Sequence, residues 1–273
     1  MGNVQKKEYD TTENPAIKNP DWMSSIADEK SLCDLSIPGT NKSMFINGGD
    51  AFQHQSWNLI SQYEAGIRFV NIVLKVNYDN VLVIPIRQYL NFFDEILRHT
   101  INFLINHSKE TILMHVYENT TFGKSNQFSK LVTNSIQKAG MSWFWTSSAI
   151  PTLGQVRGKI IILQDYDGPA IGIPYKSLVV AENKYIPTVL AITDKFTSIF
   201  NNLDKAQKSN GDKLYLTFSA GSSWLAYPYT VAQQVNYNLY KFLEHYANKK
   251  YRWGIIAMDF PGSFLVQLII QSN

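Results

Sequence analysis

The chain has 273 residues, 45% of them hydrophobic and 17% charged, with a formal net charge of +3. That is enough apolar matter for a sizeable core, which excludes a disordered chain. It is too little positive charge, with no Lys/Arg run interleaved with aromatics, to indicate a nucleic-acid partner.

Residues 1–20 read as a flexible arm punctuated by Pro15 and Pro20, and residues 21–273 as one domain. The arm is polar and has no signal-peptide core. Gly2 follows Met1 as in a myristoylation start, but Lys6 stands where Ser or Thr is required. The only cysteine, Cys33, excludes an intramolecular disulfide and a zinc cluster. Its neighbours Leu32 and Leu35 point to a buried thiol. Strands are predicted at 34–37, 69–76, 81–86, 111–117, 159–163, 213–218 and 254–258. Several are continuously apolar, as strands covered on both faces are. Between the third and fourth, Leu90, Phe93, Ile96, Leu97, Ile101 and Leu104 recur at helical spacing. Before the last strand, Val231, Val235, Leu239, Phe242 and Tyr246 do the same. Strands alternating with helices predict an α/β fold, a single closed but irregular (β/α) barrel of TIM type. In such a barrel the site lies where the carboxyl ends of the strands converge. No apolar run approaches the roughly 18 residues that a membrane span needs.

Five segments, in order, carry a resemblance. They are Leu35-Ser36-Ile37-Pro38-Gly39-Thr40, Gly66-Ile67-Arg68-Phe69-Val70, Phe103-Leu104 with Lys109-Glu110-Thr111-Ile112-Leu113-Met114, Leu153-Gly154-Gln155-Val156-Arg157-Gly158-Lys159-Ile160, and Trp253-Gly254-Ile255-Ile256-Ala257-Met258-Asp259-Phe260-Pro261-Gly262. Together they resemble the catalytic domain of bacterial phosphatidylinositol-specific phospholipase C, from about Trp22 to the carboxyl end. The resemblance implies attack of an inositol hydroxyl on the neighbouring phosphodiester. One His serves as base, a second as acid, and an Asp-x-Arg strand pair steadies the charge, without cofactor or metal.

At the positions matching that machinery this chain departs from it. The first His aligns with Asn41 and the following Asp with Lys42. Asp-x-Arg aligns with Asn71-Ile72-Val73, and the second His falls at Pro85 or Ile86. An inositol-contacting Arg aligns with Asp165, and the Asp of an Asp-x-Tyr contact with Asn183. Tyr185 matches the ring that stacks on inositol, and Asp259 the Asp that supports the first His. The doubled charge swap predicts that Lys42 pairs with Asp165 or Asp259.

Of the five histidines, His99, His107 and His245 read as solvated or helix-capping, and His54 as a surface residue before the helix around Trp57. His115 alternates with Leu113 and Tyr117 on a strand and so points into the barrel, most simply as a hydrogen-bonded core residue. Trp143-Phe144-Trp145 reads as a helix-packing cluster rather than a membrane wedge. Trp224 and Tyr227 form a candidate membrane rim, with a buried loop anchor as the alternative for Trp224. The expected pocket is therefore Asn41, Lys42, His115, Tyr117, Asp165, Asn183, Tyr185 and Asp259.

These substitutions point to a non-catalytic relative that binds a lipid headgroup, a glycan or a protein surface. It would be secreted by a bacterium, as a possible toxin component, and would touch membranes peripherally at most. The alternatives are an active phosphodiesterase with relocated groups, and a structural or storage scaffold.

Overall fold

The computed structural model describes residues 2–86, 92–121, 123–182 and 185–273. Ten strands and seven α-helices alternate along them. The first half holds β1 (Ser36–Thr40), α1 (Leu59–Ala65), β2 (Phe69–Val76), β3 (Leu82–Val83), α2 (Phe93–Asn106), β4 (Ile112–Glu118), α3 (Phe128–Ala139) and β5 (Phe144–Trp145). The second holds α4 (Leu153–Val156), β6 (Ile160–Asp165), β7 (Ile173–Pro174), β8 (Val179–Ala181), α5 (Ile192–Lys208), β9 (Tyr215–Phe218), α6 (Pro228–His245), β10 (Gly254–Met258) and α7 (Ser263–Gln271). Leu90 of the expected helix lies outside the described residues.

Hydrogen bonds order the strands β5-β6-β4-β2-β1-β10-β9-β8, with β3 on β2 and β7 on β6. Every pairing is parallel except the β2–β3 hairpin. The sheet curls into a barrel, but among the described residues no ladder joins β8 to β5 or β7. The expectation of a closed barrel is corrected here: β5 and β7 are two-residue strands, and Pro174 brings no N–H to a ladder.

Two apolar layers follow from the alternation. Ile37, Phe69, Leu113, Ile161, Leu163, Phe218, Ile255 and Ala257 fill the barrel. Val70, Ile72, Met114, Val116, Ile162, Ile256 and Met258 pack outward against helices. Trp143, Phe144 and Trp145 all pack against these layers, which is the packing role expected of them. Cys33 is buried, and burial raises its thiol to about 11.

Gly39 lets β1 lie tight on β2, since an added Cβ would sit 2.7 Å from a Phe69 ring carbon. Gly39→Ala is expected to lower stability by about 1–3 kcal/mol, as overpacking does. An unfolding midpoint unchanged in urea would contradict this.

The amino-terminal segment, read as a flexible arm, is laid against the barrel. Tyr9 is buried against Phe260 and Ala232. Gly262 N–H donates to Glu8 O, Leu265 N–H to Lys7 O, and Asp10 N–H to Phe260 O. A Cβ on Gly262 would collide with the arm backbone, 2.3 Å from Lys7 O. The polar composition hid this, because the arm is held mainly through its backbone.

Candidate functional site

Alternation along the strands decides which side chains face the barrel axis. At the carboxyl ends the register sets them in tiers. Asn71 lies beside His115, and His115 beside Leu163. One tier higher, Val73 lies beside Tyr117, and Tyr117 beside Asp165.

The connection from β1 to α1, residues 41–58, folds back over this mouth. Two non-glycine residues hold left-handed backbone there, Lys42 at φ 42° just after β1 and Phe260 at φ 44° two residues after β10. Each such conformation costs about 1–3 kcal/mol, and such residues gather at functional sites. Gln55 pins the loop across both strand ends by donating from Nε2 to Asn41 O and Met258 O. Phe260 N–H donates to His54 O.

His54 is thereby carried inward and is only 3% exposed. This corrects its reading as a surface residue. Its Nδ1 lies 3.0 Å from both oxygens of buried Asp259. Its Nε2 lies 3.2 Å from Lys42 Nζ. Asn41 Nδ2 donates to Asp259 Oδ1 at 3.0 Å. The Lys42 ammonium also sits 5.4 Å over the Phe45 ring, which meets His54 edge-on. Lys42 is linked to Asp259 through the His54 ring. The His54 ring stands between Lys42 and Asp259, and Asp165 is taken by His115.

His115 is buried with both nitrogens engaged. Asn71 Nδ2 donates to Nδ1 at 2.8 Å, and Nε2 donates to Asp165 Oδ2 at 3.0 Å. Tyr175 stacks on the imidazole at 3.9 Å and Tyr117 at 4.9 Å. The Tyr175 hydroxyl donates to Glu182 at 2.7 Å. Burial first, then Glu182, pushes the Tyr175 hydroxyl far above its usual range, and burial does the same to Tyr117. His115 is a hydrogen-bonded core histidine, as its strand position suggested. The aromatic stack fills the mouth above β4 and β6. Asn71 joins the two halves, because its Oδ1 accepts from Lys42 N–H at 2.9 Å. One hydrogen-bonded chain thus runs Asp259–His54–Lys42–Asn71–His115–Asp165.

The remaining candidates divide. Asn41 and Asp259 belong to this chain, and Tyr117 flanks it. Pro85 is half-buried after β3, and Val73 lies on the inward register of β2. Asn183 lies outside the described residues. Tyr185 is exposed and bridges to Ser222, which places it on the outer rim rather than in the chain of contacts. Trp224 is 89% exposed, so it is no buried loop anchor. Leu225, Tyr227 and Leu190 are exposed near it, and Ser223 Oγ donates to Pro187 O between the two loops. His107 caps α2 and reaches Asp21 at 2.8 Å, and His245 is exposed on the last turn of α6, as expected.

Sequence reasoning missed His54, Tyr175 and Glu182. For His54 the one usable signal was the length of the 41–58 connection, longer than βα loops usually are.

No family model matches the chain. It is 31% identical to the 1-phosphatidylinositol phosphodiesterase of Listeria monocytogenes, over 95% of this chain and 88% of that protein. It is 25% identical to the 1-phosphatidylinositol phosphodiesterase of Staphylococcus aureus, over 94% of this chain and 95% of that protein. The solved phosphatidylinositol-specific phospholipase C of Listeria monocytogenes superposes with a TM-score of 0.81 at 26% identity, covering 94% of this chain and 99% of that one.

Proposed function

Because the chain belongs to the family of bacterial phosphatidylinositol-specific phospholipases C, we propose that it binds the phosphoinositol headgroup of membrane lipids without cleaving it at the family's rate. One observation carries this reading: the Lys42 ammonium set against the buried His54–Asp259 pair at the carboxyl ends of the strands. It offers a positive charge where a headgroup phosphate would enter. The groups that would turn binding into cleavage are replaced by Asn41, Val73 and Pro85. None of these titrates, and the aliphatic Val73 cannot hold phosphate. A secreted protein that reaches the outer face of a membrane fits this role.

The rim supports a membrane-facing role. Parallel strands deliver the loop after β9, with Trp224 and Leu225, to the same face as Lys42. Indole and phenol rings favour the headgroup level. Sinking Trp224 into it would remove apolar area worth roughly 2 kcal/mol. Trp224→Ala is therefore expected to weaken binding to phosphatidylinositol-containing vesicles about 10- to 30-fold. Its melting temperature should stay within a degree or so, because the ring packs against little. Sedimentation with vesicles and a thermal melt measure both. Unchanged vesicle binding would remove the rim from the mechanism.

A second reading, an active phosphodiesterase, is favoured by one fact only. His54 points a ring nitrogen into the mouth and has a carboxylate behind it, as a general base requires.

A further inference from the structure

We infer that Lys42 and His54 form one proton-coupled site, which takes up a phosphodiester together with a proton on His54. The inference rests on the headgroup-binding reading above and adds to it a mechanism and a pH dependence.

The argument begins with donors and lone pairs. Lys42 Nζ and His54 Nε2 lie 3.2 Å apart. An ammonium has only protons to offer, so Nε2 supplies the lone pair and the imidazole is neutral. Its single proton is then on Nδ1, donated to Asp259 at 3.0 Å. In this state Nε2 turns a lone pair, not a donor, toward the place where Lys42 would hold an anion. A phosphodiester arriving at Lys42 draws the ammonium to itself and leaves Nε2 unsatisfied beside a negative oxygen. A proton on Nε2 resolves both problems. It makes a second donor to the phosphate, and Asp259, already on the far nitrogen, balances the imidazolium. The uptake is one anion and one proton, with no covalent bond made or broken. Before binding, Lys42 and Asp259 offset each other. After it, two cations face the carboxylate and the phosphate.

The groups around His54 agree with this direction. The contacts of His54 include Lys42 from its own loop, Asp259 from the end of β10, Asn41 from the end of β1 and the Phe45 ring. Beyond them, Asp50 on the loop and Asp10 on the arm act together on Tyr9, whose hydroxyl is held neutral, pushed up to about 12 mainly by burial. A second observation points to a ligand bearing hydroxyls. Asn41 Oδ1 is buried without a hydrogen-bond partner among the described residues. It cannot be relieved by flipping the amide, because Nδ2 must face the Asp259 carboxylate. Buried acceptors of this kind ordinarily have a donor, and a polyol hydroxyl is one.

A phosphodiester is the right probe because its single charge does not titrate near neutrality. Any pH dependence then belongs to the protein. Glycerophosphoinositol in solution and phosphatidylinositol in phosphatidylcholine vesicles are titrated calorimetrically between pH 6 and pH 8, in buffers of different ionisation heat. The sign follows from linkage: if the anion favours protonated His54, protons favour the anion equally. Affinity for both probes is expected to rise as pH falls, by up to about tenfold per pH unit for one linked proton. The buffer-dependent heat should correspond to nearly one proton taken up per ligand. His54→Gln should flatten the pH profile, whereas Lys42→Met should weaken binding at every pH. Should His54→Gln melt early, the buffer heats of the unaltered protein decide alone. Equal affinity at pH 6 and pH 8 with no proton uptake would overturn this inference and leave headgroup binding standing. Vesicle binding without any binding of glycerophosphoinositol would also overturn it, by assigning capture to the rim. Failure of both probes to bind would remove the headgroup reading as well.

Discussion

Phosphatidylinositol is expected to be cleaved by this chain at least about 10⁴-fold more slowly than by the Listeria relative under the same conditions, with or without calcium. A positioned acid or base ordinarily contributes about 10² to 10⁴ in rate, and a charge-stabilising donor about 10² to 10³. By the resemblance, Asn41 and Pro85 or Ile86 take the acid–base positions, and Val73 that of the phosphate-binding Arg. His54 can deputise for the base at most, and its Nε2 is already engaged by Lys42 at 3.2 Å. His115 cannot serve as the acid while both its nitrogens are bonded and Tyr175 covers its face. Release of water-soluble inositol phosphates from mixed micelles measures the rate. Turnover approaching the relative's, and abolished by His54→Gln, would overturn the binding reading in favour of the active one.

The largest effect on stability is expected at the opposite end of the barrel. Glu110→Ala should cost about 3–5 kcal/mol in urea unfolding, the usual result of stripping one partner from a buried ion pair. Arg68 Nε donates to Glu110 Oε2 at 2.8 Å, and both side chains are wholly buried. The guanidinium also donates to Tyr63 O, Ile67 O and Pro20 O and lies 4.9 Å over the Phe103 ring. Burial holds Arg68 below its ordinary range and pushes Glu110 up. Glu110 therefore depends on Arg68 for staying charged, while the guanidinium keeps its charge in any case. Without Glu110, a cation that cannot reach water remains under the barrel. Replacing both by apolar residues, Arg68→Met with Glu110→Leu, should cost less than Glu110→Ala alone. A single substitution costing under about 1 kcal/mol would show that the pair is solvated when the protein opens locally.

The barrel was legible because its strands are apolar on both faces, which leaves few other places for them. Residues 69–76 and 254–258 were located to the residue. The first strand was placed at 34–37 and runs Ser36–Thr40. Pro38-Gly39 looks like a turn, yet Gly39 is needed for close approach to Phe69. β5, β7 and β8 are too short to leave a periodic signal. At the mouth, residues on strands or directly at their ends were found: Asn41, Lys42, Asn71, His115 and Asp259. Contacts made by loops were not. His54 reaches Asp259 across 205 positions of sequence, and nothing local in Gln53-His54-Gln55 marks that return. The link from Lys42 to Asp259 through His54 was hidden for the same reason.

β1 lies between β2 and β10, with Ser36 beside Gly254 and Thr40 beside Met258. As the chain leaves the ribosome, β1 therefore carries one unpaired edge until β10 has been made. At bacterial synthesis speeds of about 5–20 residues per second, that wait is on the order of 10 to 50 seconds. A strand edge left open for so long invites pairing with other nascent chains. Asp259 arrives only after that interval, so His54 meets its carboxylate no earlier. Barrel completion and assembly of the mouth are then a single late event. A truncated nascent chain should be captured by holdase chaperones up to that point and released from them after it.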